Sequence, residues 1–555
     1  MFRADLVQFL AKQLSQKEEV IDGLLEIPDF KLGHYALPCF FLAKEKKQAP
    51  QTLAATLVAA LAEQQPSFVE KIVAVGSYVN IFIKQDLFSK ALLASIFSPK
   101  QRKNGKRIMV EFSNPNTHKE FHVGHLRNAF LGQAIINLLR HQGHVVIPAN
   151  YIGDIGTHVA KSIWCYKKFH LNDITPVHKG QYLGRLYVEA SALVENDAQA
   201  KQEVSEVLQL IEQRDPEMTA LWKETRQWSL DELHAIYDEL GIHFDVWYFE
   251  SDVDEEGRHI VDMLLKKNIA EKSDGAIIVD LKQYGLDVFL ILKSDGTTLY
   301  STKDLALAQR KFNEYKLDMS IYIVDIRQRM HFQQLFKTLE LMGFHKPLYH
   351  ISYEFVGTKE GPIASRTGNV YLYENIRDRM LHKLVVETRK RHPDWDESRI
   401  QRNAMTLTIG ALKFGMLKLD NNRTIIFDED EWLDFEGETG PYVQYAYARL
   451  NSILGKAKDS TDAPLLPTTV PEQKLVSLLA AAENMVEQAA RQYKPNILCR
   501  YVLDLAQASN EFYHACPIIT ADDQTRDARI VLVKAVMRVL KDSLALLGIA
   551  VVDAM

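Results

Sequence analysis

Cysteine is scarce in this chain of 555 residues: Cys39, Cys165, Cys499 and Cys516 are the only four, and no two form a Cys-x-x-Cys pair. That spacing argues against zinc ribbons and disulfide-stapled scaffolds, and a reducing cytoplasmic setting is expected. Long apolar runs are missing too, none reaching the roughly 18 residues of a membrane-spanning helix. The start, Met1-Phe2-Arg3-Ala4-Asp5, lacks the charged-then-apolar plan of a secretory leader. No internal repeat and no low-complexity tract is present. Nor is there a basic excess, the formal net charge being −6. A nucleic-acid partner would therefore need a local basic face, not a basic total. Lys100 to Arg107 and Arg389-Lys390-Arg391 are candidates, and both read equally well as a solvated linker and a solvated helix face.

What remains is ordinary for a globular protein: 47% hydrophobic and 25% charged residues. The length exceeds one core, so several domains are expected. Residues 1–99 read as a separate α/β module, with helical periodicity at Leu6–Leu14 and Leu53–Leu61 and a strand-turn-strand over Val73–Ile83. The polar, basic run from Ser98 to Gly105 reads as a linker. Over 106–373 strands and helices alternate, which indicates a parallel sheet. An insertion of about 162–227 interrupts them, mostly charged and helical. After it, Ser229-x-x-Glu232 reads as a capping box opening a short helix that ends at Gly241. Strands are expected again at Ala276–Leu281, Val288–Leu292 and Ile321–Val324. Residues 374–555 read as all helical, with broad apolar faces at Leu475–Gln492 and Val531–Leu547 and a polar loop from Asp459 to Pro471.

The densest chemistry lies in Glu111-Phe112-Ser113-Asn114-Pro115-Asn116-Thr117-His118-Lys119-Glu120-Phe121-His122-Val123-Gly124-His125. The apolar strand Ile108-Met109-Val110 feeds a polar loop, and a helix with apolar period follows at once. Gly143 closes that helix, and Val145-Val146-Ile147 begins the next strand. A helix N-terminus offers unpaired N–H groups and positive potential, a natural phosphate site. Gly124 would allow close approach of a nucleotide, and His122 and His125 can donate to phosphate oxygens. Taken alone, the two histidines could equally be a cap or core pair. A metal site with Asp154 is a further alternative, although no third ligand spacing supports it.

The His-x-Gly-His turn resembles the first signature of class I aminoacyl-tRNA synthetases, and the longer string resembles arginyl-tRNA synthetases. Ser365-Arg366-Thr367-Gly368-Asn369-Val370 is similar to the second signature of that family, although by itself it would pass for a glycine-rich surface turn. It departs from the pattern: Ile363 and Ala364 replace Met-Ser, and Thr367 stands where a catalytic lysine is usual. Lys119, just before the first signature, is expected to supply the missing cation. The loop Asn150 to His158 matches a family segment that usually reads Gly-Asp-Trp-Gly-x-Gln, with Ile155 and His158 departing from it.

The resemblance implies a fold: an α/β Rossmann-type nucleotide-binding catalytic domain with an inserted helical segment, an N-terminal α/β module contacting tRNA, and an all-α C-terminal anticodon-binding domain. It implies ATP-dependent joining of L-arginine to tRNA(Arg) through an arginyl-adenylate, with Mg²⁺ carried by ATP and not by a protein-held site. It assigns ATP contacts to His122, Gly124, His125, Lys119, Ser365, Arg366 and His331, and catalysis to His122, His125, Lys119 and Arg366. It assigns arginine to Glu111, Asn116, Tyr300, Asp304 and Gln328. A guanidinium carries five donors in a plane and calls for carboxylates plus neutral acceptors. Tyr300 and Asp304, four apart at a helix start, share a face. Glu438 to Arg449 resembles the opening of the anticodon-binding domain, where Tyr442, Tyr445 and Arg449 would stack on splayed bases; an aromatic helical stripe is also a common core pattern. A soluble monomer whose arginine activation requires bound tRNA is implied. The alternatives are a different adenylate-forming enzyme and a non-catalytic tRNA-binding relative.

Overall fold

The computed structural model describes residues 2–28, 30–98, 105–174, 176–294, 296, 299–359, 361–362, 371–457, 463–465 and 467–555. Its centre is a five-stranded sheet in the order Leu348–Tyr353, Met319–Asp325, Arg107–Glu111, Val145–Ile152, Val246–Phe249. All neighbours run parallel. The chain adds strands outward from Arg107–Glu111 on one side, then returns to add Met319–Asp325 on the other. The reversal lies between these two strands, and open sheets bind ligands beyond the strand C-termini at that point. The helix Val123–His141 packs its apolar face on the sheet. Gly132 lets it come close, because a Cβ there would lie 2.2 Å from the Phe112 ring.

Between the second and third strands the chain is helical throughout, from Thr157–Cys165 to the long helix Pro216–Leu240. The expected capping box at Ser229 is not one. Asp215 caps a single helix of 25 residues that runs through Ser229, and the Ser229 hydroxyl instead accepts the His118 N–H at 2.9 Å. The helix does end at Gly241, whose φ of 64° is a left-handed cap that favours glycine.

Ala276–Val279 and Phe289–Leu292 are strands as expected, but they do not join the parallel sheet. With Glu271–Ser273 they form a separate antiparallel meander, because the turns between them are too short for a parallel crossover. This meander anchors the next helix, Tyr300–Tyr315: Ser301 and Thr302 donate to the carbonyls of Leu290 and Ile291.

The N-terminal module packs helices on the antiparallel sheet Tyr35–Pro38, Tyr78–Ile83, Val69–Val75. Past residue 374 the described residues hold one strand, Ile425–Ile426, beside Val356–Thr358, and their other regular elements are helices. The helices Glu397–Leu417, Gly440–Lys456, Val470–Gln492, Pro495–Ala515 and Asp523–Leu546 share one apolar core.

Candidate active site

The loop leaving Arg107–Glu111 is held in an unusual shape. Ser113, Asn114 and His118 have φ values of 73°, 48° and 60°, a region that non-glycine residues occupy at a cost and that clusters at functional sites. Buried partners maintain it. Ser113 N–H donates to Asn128 Oδ1 at 2.6 Å, and its hydroxyl meets the Tyr237 hydroxyl at 2.7 Å. The His118 ring bridges Thr117 and Thr225 at 3.0 and 2.9 Å. Burial drops its pKa to about 3.

His122 and His125 cap the helix on one another. His122 Nδ1 accepts the Gly124 N–H at 3.1 Å, and His125 Nδ1 accepts the His122 N–H at 3.1 Å. Their rings stack 3.9 Å apart. A ring nitrogen that accepts an N–H carries no proton, so each neutral imidazole holds its proton on Nε2. Burial, then the Lys119 charge, lowers His122 to about 4. Burial and the His122 and Lys119 charges lower His125 as well. The pair is therefore neutral near pH 7.

This corrects the expectation of open helix-end amides. Val123 N–H donates to the Tyr371 carbonyl at 2.9 Å and His125 N–H to the His122 carbonyl at 2.8 Å, so the amides of residues 122–125 are all engaged. An anion here would meet two Nε2–H donors and the helix dipole. Gly124 is likewise explained by the cap: an added Cβ would lie 3.0 Å from the His122 ring. Lys119 Nζ sits 5.0 Å over the Tyr187 ring of the helical insert. Ser365 and Arg366, with Thr367, lie outside the described residues.

A cavity of about 480 Å³ opens at the strand-order reversal. It brings together Glu111, Asn116, Tyr300, Asp304 and Gln328, and His331 as well. Glu111 ends its strand, Tyr300 and Asp304 stand on the first turn of their helix, and Gln328 closes a short turn after Met319–Asp325. His331 Nε2 lies 2.7 Å from Asp304 Oδ2, so both line the same cavity. Asn116 fits because residue 153 is glycine: a Cβ there would be 2.1 Å from Asn116 Oδ1. Asp154, beside it, is buried and accepts from Arg226 at 2.8 Å and from the Ser251 hydroxyl at 2.7 Å.

Lys311, Glu250 and Tyr151 are among the lining residues that the sequence did not assign to the site. Lys311 is fully buried and bonds the Glu111 carboxylate. Burial opposes its charge, but Glu111 more than offsets this and its pKa is raised. It lies seven residues after Asp304, on the same helical face, a spacing that could have flagged it. Glu250 follows the strand Val246–Phe249 and is 6% exposed. Burial, together with Asp304 and Asp154, pushes it up to about 8 despite Lys303 at 3.6 Å. Tyr151 keeps a buried hydroxyl with no hydrogen-bond partner, a polar atom facing ligand space. Glu111, Glu250 and Asp304 thus face the cavity together with Lys311 and Arg327.

Glu250 and Tyr300 also wall a wider cleft of about 970 Å³ between the helical insert and the antiparallel meander. Arg214, Lys223, Arg226, Arg258, Lys293 and Lys303 line it, so a basic approach adjoins an acidic cavity.

Far along the chain, Tyr445 and Arg449 line a third cavity, of about 490 Å³, with Tyr513, His392, Lys456 and the terminal Met555. The Arg449 guanidinium stacks 4.6 Å from the Tyr445 ring and 5.1 Å from that of Tyr513. Tyr442 does not line it. Asn510 ties it in, accepting from Arg449 at 3.0 Å and donating to the Tyr442 hydroxyl at 2.9 Å.

Comparison with known proteins agrees with this arrangement. Residues 87–429 match the class I (R) tRNA synthetase catalytic domain, 443–555 the DALR anticodon binding domain, and 2–83 the arginyl tRNA synthetase N terminal domain. The fold and site are those of a class I aminoacyl-tRNA synthetase. The arginine–tRNA ligase of Bdellovibrio bacteriovorus is 37% identical, the match covering 98% of this chain and 95% of that one. That of Halothermothrix orenii is 33% identical, with both chains covered in full. The structure of Thermus thermophilus arginyl-tRNA synthetase superposes with a TM-score of 0.84 at 29% identity over the whole of both chains. The chain belongs to the arginyl-tRNA synthetase family.

Proposed function

We propose that this chain joins L-arginine to tRNA(Arg) in two steps. The arginine carboxylate attacks the α-phosphate of ATP in line, forming arginyl-adenylate and releasing pyrophosphate. A ribose hydroxyl of the terminal adenosine of tRNA then attacks the arginyl carbonyl, and AMP leaves. The observation that carries this reading is the convergence of Glu111, Asn116, Tyr300, Asp304 and Gln328 on one cavity at the strand-order reversal.

In this assignment Asp304 and Glu111 face the guanidinium, and Asn116, Tyr300 and Gln328 supply neutral contacts. A lysine side chain would leave some of these acceptors unpaired, which penalises it. His122 and His125 donate Nε2–H to ATP oxygens as charge develops on pyrophosphate, and Lys119 adds the cation that Thr367 does not. No side chain becomes a nucleophile, so the rate comes from positioning and electrostatics. As the resemblance implies, Mg²⁺ would be held by the phosphates and would neutralise their charge.

The basic cleft suits the acceptor end of tRNA, whose backbone is polyanionic. Tyr445 and Arg449 suit an unstacked base, with Tyr442 supporting them through Asn510. The units we assign are 1–99 for tRNA contact, 106–373 for catalysis with the insertion of about 162–227, and 374–555 for the anticodon. A monomer is what the family implies and a reducing cytoplasm fits the cysteine content; no helix among the described residues is long and apolar enough to cross a membrane.

The test is attachment of labelled arginine to total tRNA, with lysine as control. Arginine-only charging that disappears in Asp304→Ala supports the reading. Absent charging with tRNA still bound would make the chain a non-catalytic tRNA-binding relative, the alternative that Thr367 leaves standing.

A further inference from the structure

The helical insert carries a group of side chains that the aminoacylation reading does not use. Cys165 ends the helix Thr157–Cys165, and the next five residues, Tyr166–His170, form a π-helical turn. That turn advances five residues per hydrogen bond, so Cys165 and His170 come to the same side. Glu189 reaches them from the helix Lys179–Glu195. One ligand atom from each of the three lies within 4.8 Å of the other two, the only group of three or more such residues among the described ones. None of them lines the three cavities above.

We propose that Cys165, His170 and Glu189 bind a single divalent ion of borderline softness, of which Zn²⁺ is the type. Sulfur, nitrogen and carboxylate oxygen together match zinc and not the all-oxygen shells of magnesium or calcium. Asp173 completes the arrangement. Its Oδ2 is 2.7 Å from His170 Nδ1, which turns Nε2 toward the two Glu189 oxygens, each at 3.1 Å. Carboxylates orient zinc-binding histidines in this way. The His170–Glu189 contact spans the place that the ion would take. A tetrahedral zinc would draw the ligand atoms to roughly 3.5 Å from one another, given bonds of about 2.0–2.3 Å. Cys165 is buried at the floor while the His170 and Glu189 side chains are 23% and 44% exposed, so an ion arrives from solvent and one coordination position stays open. A coordinating thiol is bound as thiolate, so ligation replaces the Cys165 S–H bond with an S–Zn bond and releases the proton to solvent. Bound metal would clip residues 171–178, which join the two helices.

Full-length protein stripped with a chelator is titrated with Co²⁺, then with Zn²⁺ as competitor. We expect one equivalent per chain, with a thiolate-to-cobalt charge-transfer band that Zn²⁺ erases. The band should vanish in Cys165→Ser, although the other three cysteines remain. Glu189→Gln, a surface change, should weaken Zn²⁺ binding tenfold or more. Asp173→Asn, which touches only the orienting bond, should weaken it by about 10–100-fold without abolishing the band. Absence of the band in the unaltered protein overturns the proposal, and because that reading needs no variant, misfolding of Cys165→Ser cannot shelter it. Persistence of the band in folded Cys165→Ser, or unchanged affinity in both carboxylate variants, also overturns it.

Discussion

The Asp304 carboxylate and the His331 ring are joined at the cavity by a 2.7 Å hydrogen bond made through Oδ2. Asp304→Asn keeps the shape and removes the charge. Hydrogen bonds to charged groups contribute about 1.5–3 kcal/mol, so kcat/KM for arginine should fall by about 10–100-fold. His331→Ala frees the carboxylate and should cost less than about tenfold. Charging kinetics with arginine varied check both, and unaltered kinetics in Asp304→Asn would remove this carboxylate from arginine binding.

Lys311 and Glu111 form a buried ion pair. Removing one member strands the other charge, so Lys311→Met should destabilise by about 3–5 kcal/mol, and adding Glu111→Gln should recover most of that. Denaturant unfolding of the two singles and the double measures it. A double variant no better than Lys311→Met would show that the pair is not coupled.

Gly153→Ala places a methyl group against Asn116 Oδ1, where a Cβ would be 2.1 Å away. Overpacking of this kind costs about 1–3 kcal/mol, and the displaced amide should raise KM for arginine while KM for tRNA stays put. Equal rises for both substrates would place the disturbance elsewhere.

Acid response separates two sets of buried groups. Burial lowers His118 to about 3 and His122 and His158 to about 4. The unfolded chain binds their protons first, so their contribution is complete above about pH 6.5 and is lost as pH falls toward 4. Glu120 and Glu250 are raised to about 7 and about 8; their neutral forms favour the fold, and that contribution is lost as pH rises through those values. The two trends oppose each other near pH 6, so the total is a poor probe. His118→Gln, which cannot titrate, should lose less stability than the parent protein between pH 7 and pH 5. Equal losses in urea unfolding would mean that His118 titrates normally.

Glu111, Asn116, Tyr300, Asp304 and Gln328 were pointed to by the family resemblance, and the structure gathers all five on one cavity. Local pattern supplied only their setting: Glu111 ends an apolar strand, and Tyr300 and Asp304 open a helix. Lys311 and Glu250 were hidden because each looks like an ordinary surface charge until a distant element buries it. Ser229 misled for a related reason: a Ser-x-x-Glu pair inside a long helix is indistinguishable from a cap unless the preceding turn is known. The strands at Ala276 and Phe289 were legible as strands, but alternation does not say which sheet they join. The amides of the His122 turn looked open because histidine is a rare capping residue, and only the ring orientations show both Nδ1 atoms engaged.

The strand-order reversal also governs when the cavity can exist. Arg107 N–H meets Asp318 across 211 residues of chain, and Lys311 meets Glu111 across 200. Contacts of such sequence separation form slowly, because a long loop must close before they are rewarded. During synthesis from the N-terminus, the His122–His125 turn emerges early, while its partner strand Met319–Asp325 is still unmade. A nascent chain stalled before residue 319 thus carries the His122–His125 turn on an unfinished sheet, and the cavity lacks the wall that Tyr322, Val324 and Gln328 supply.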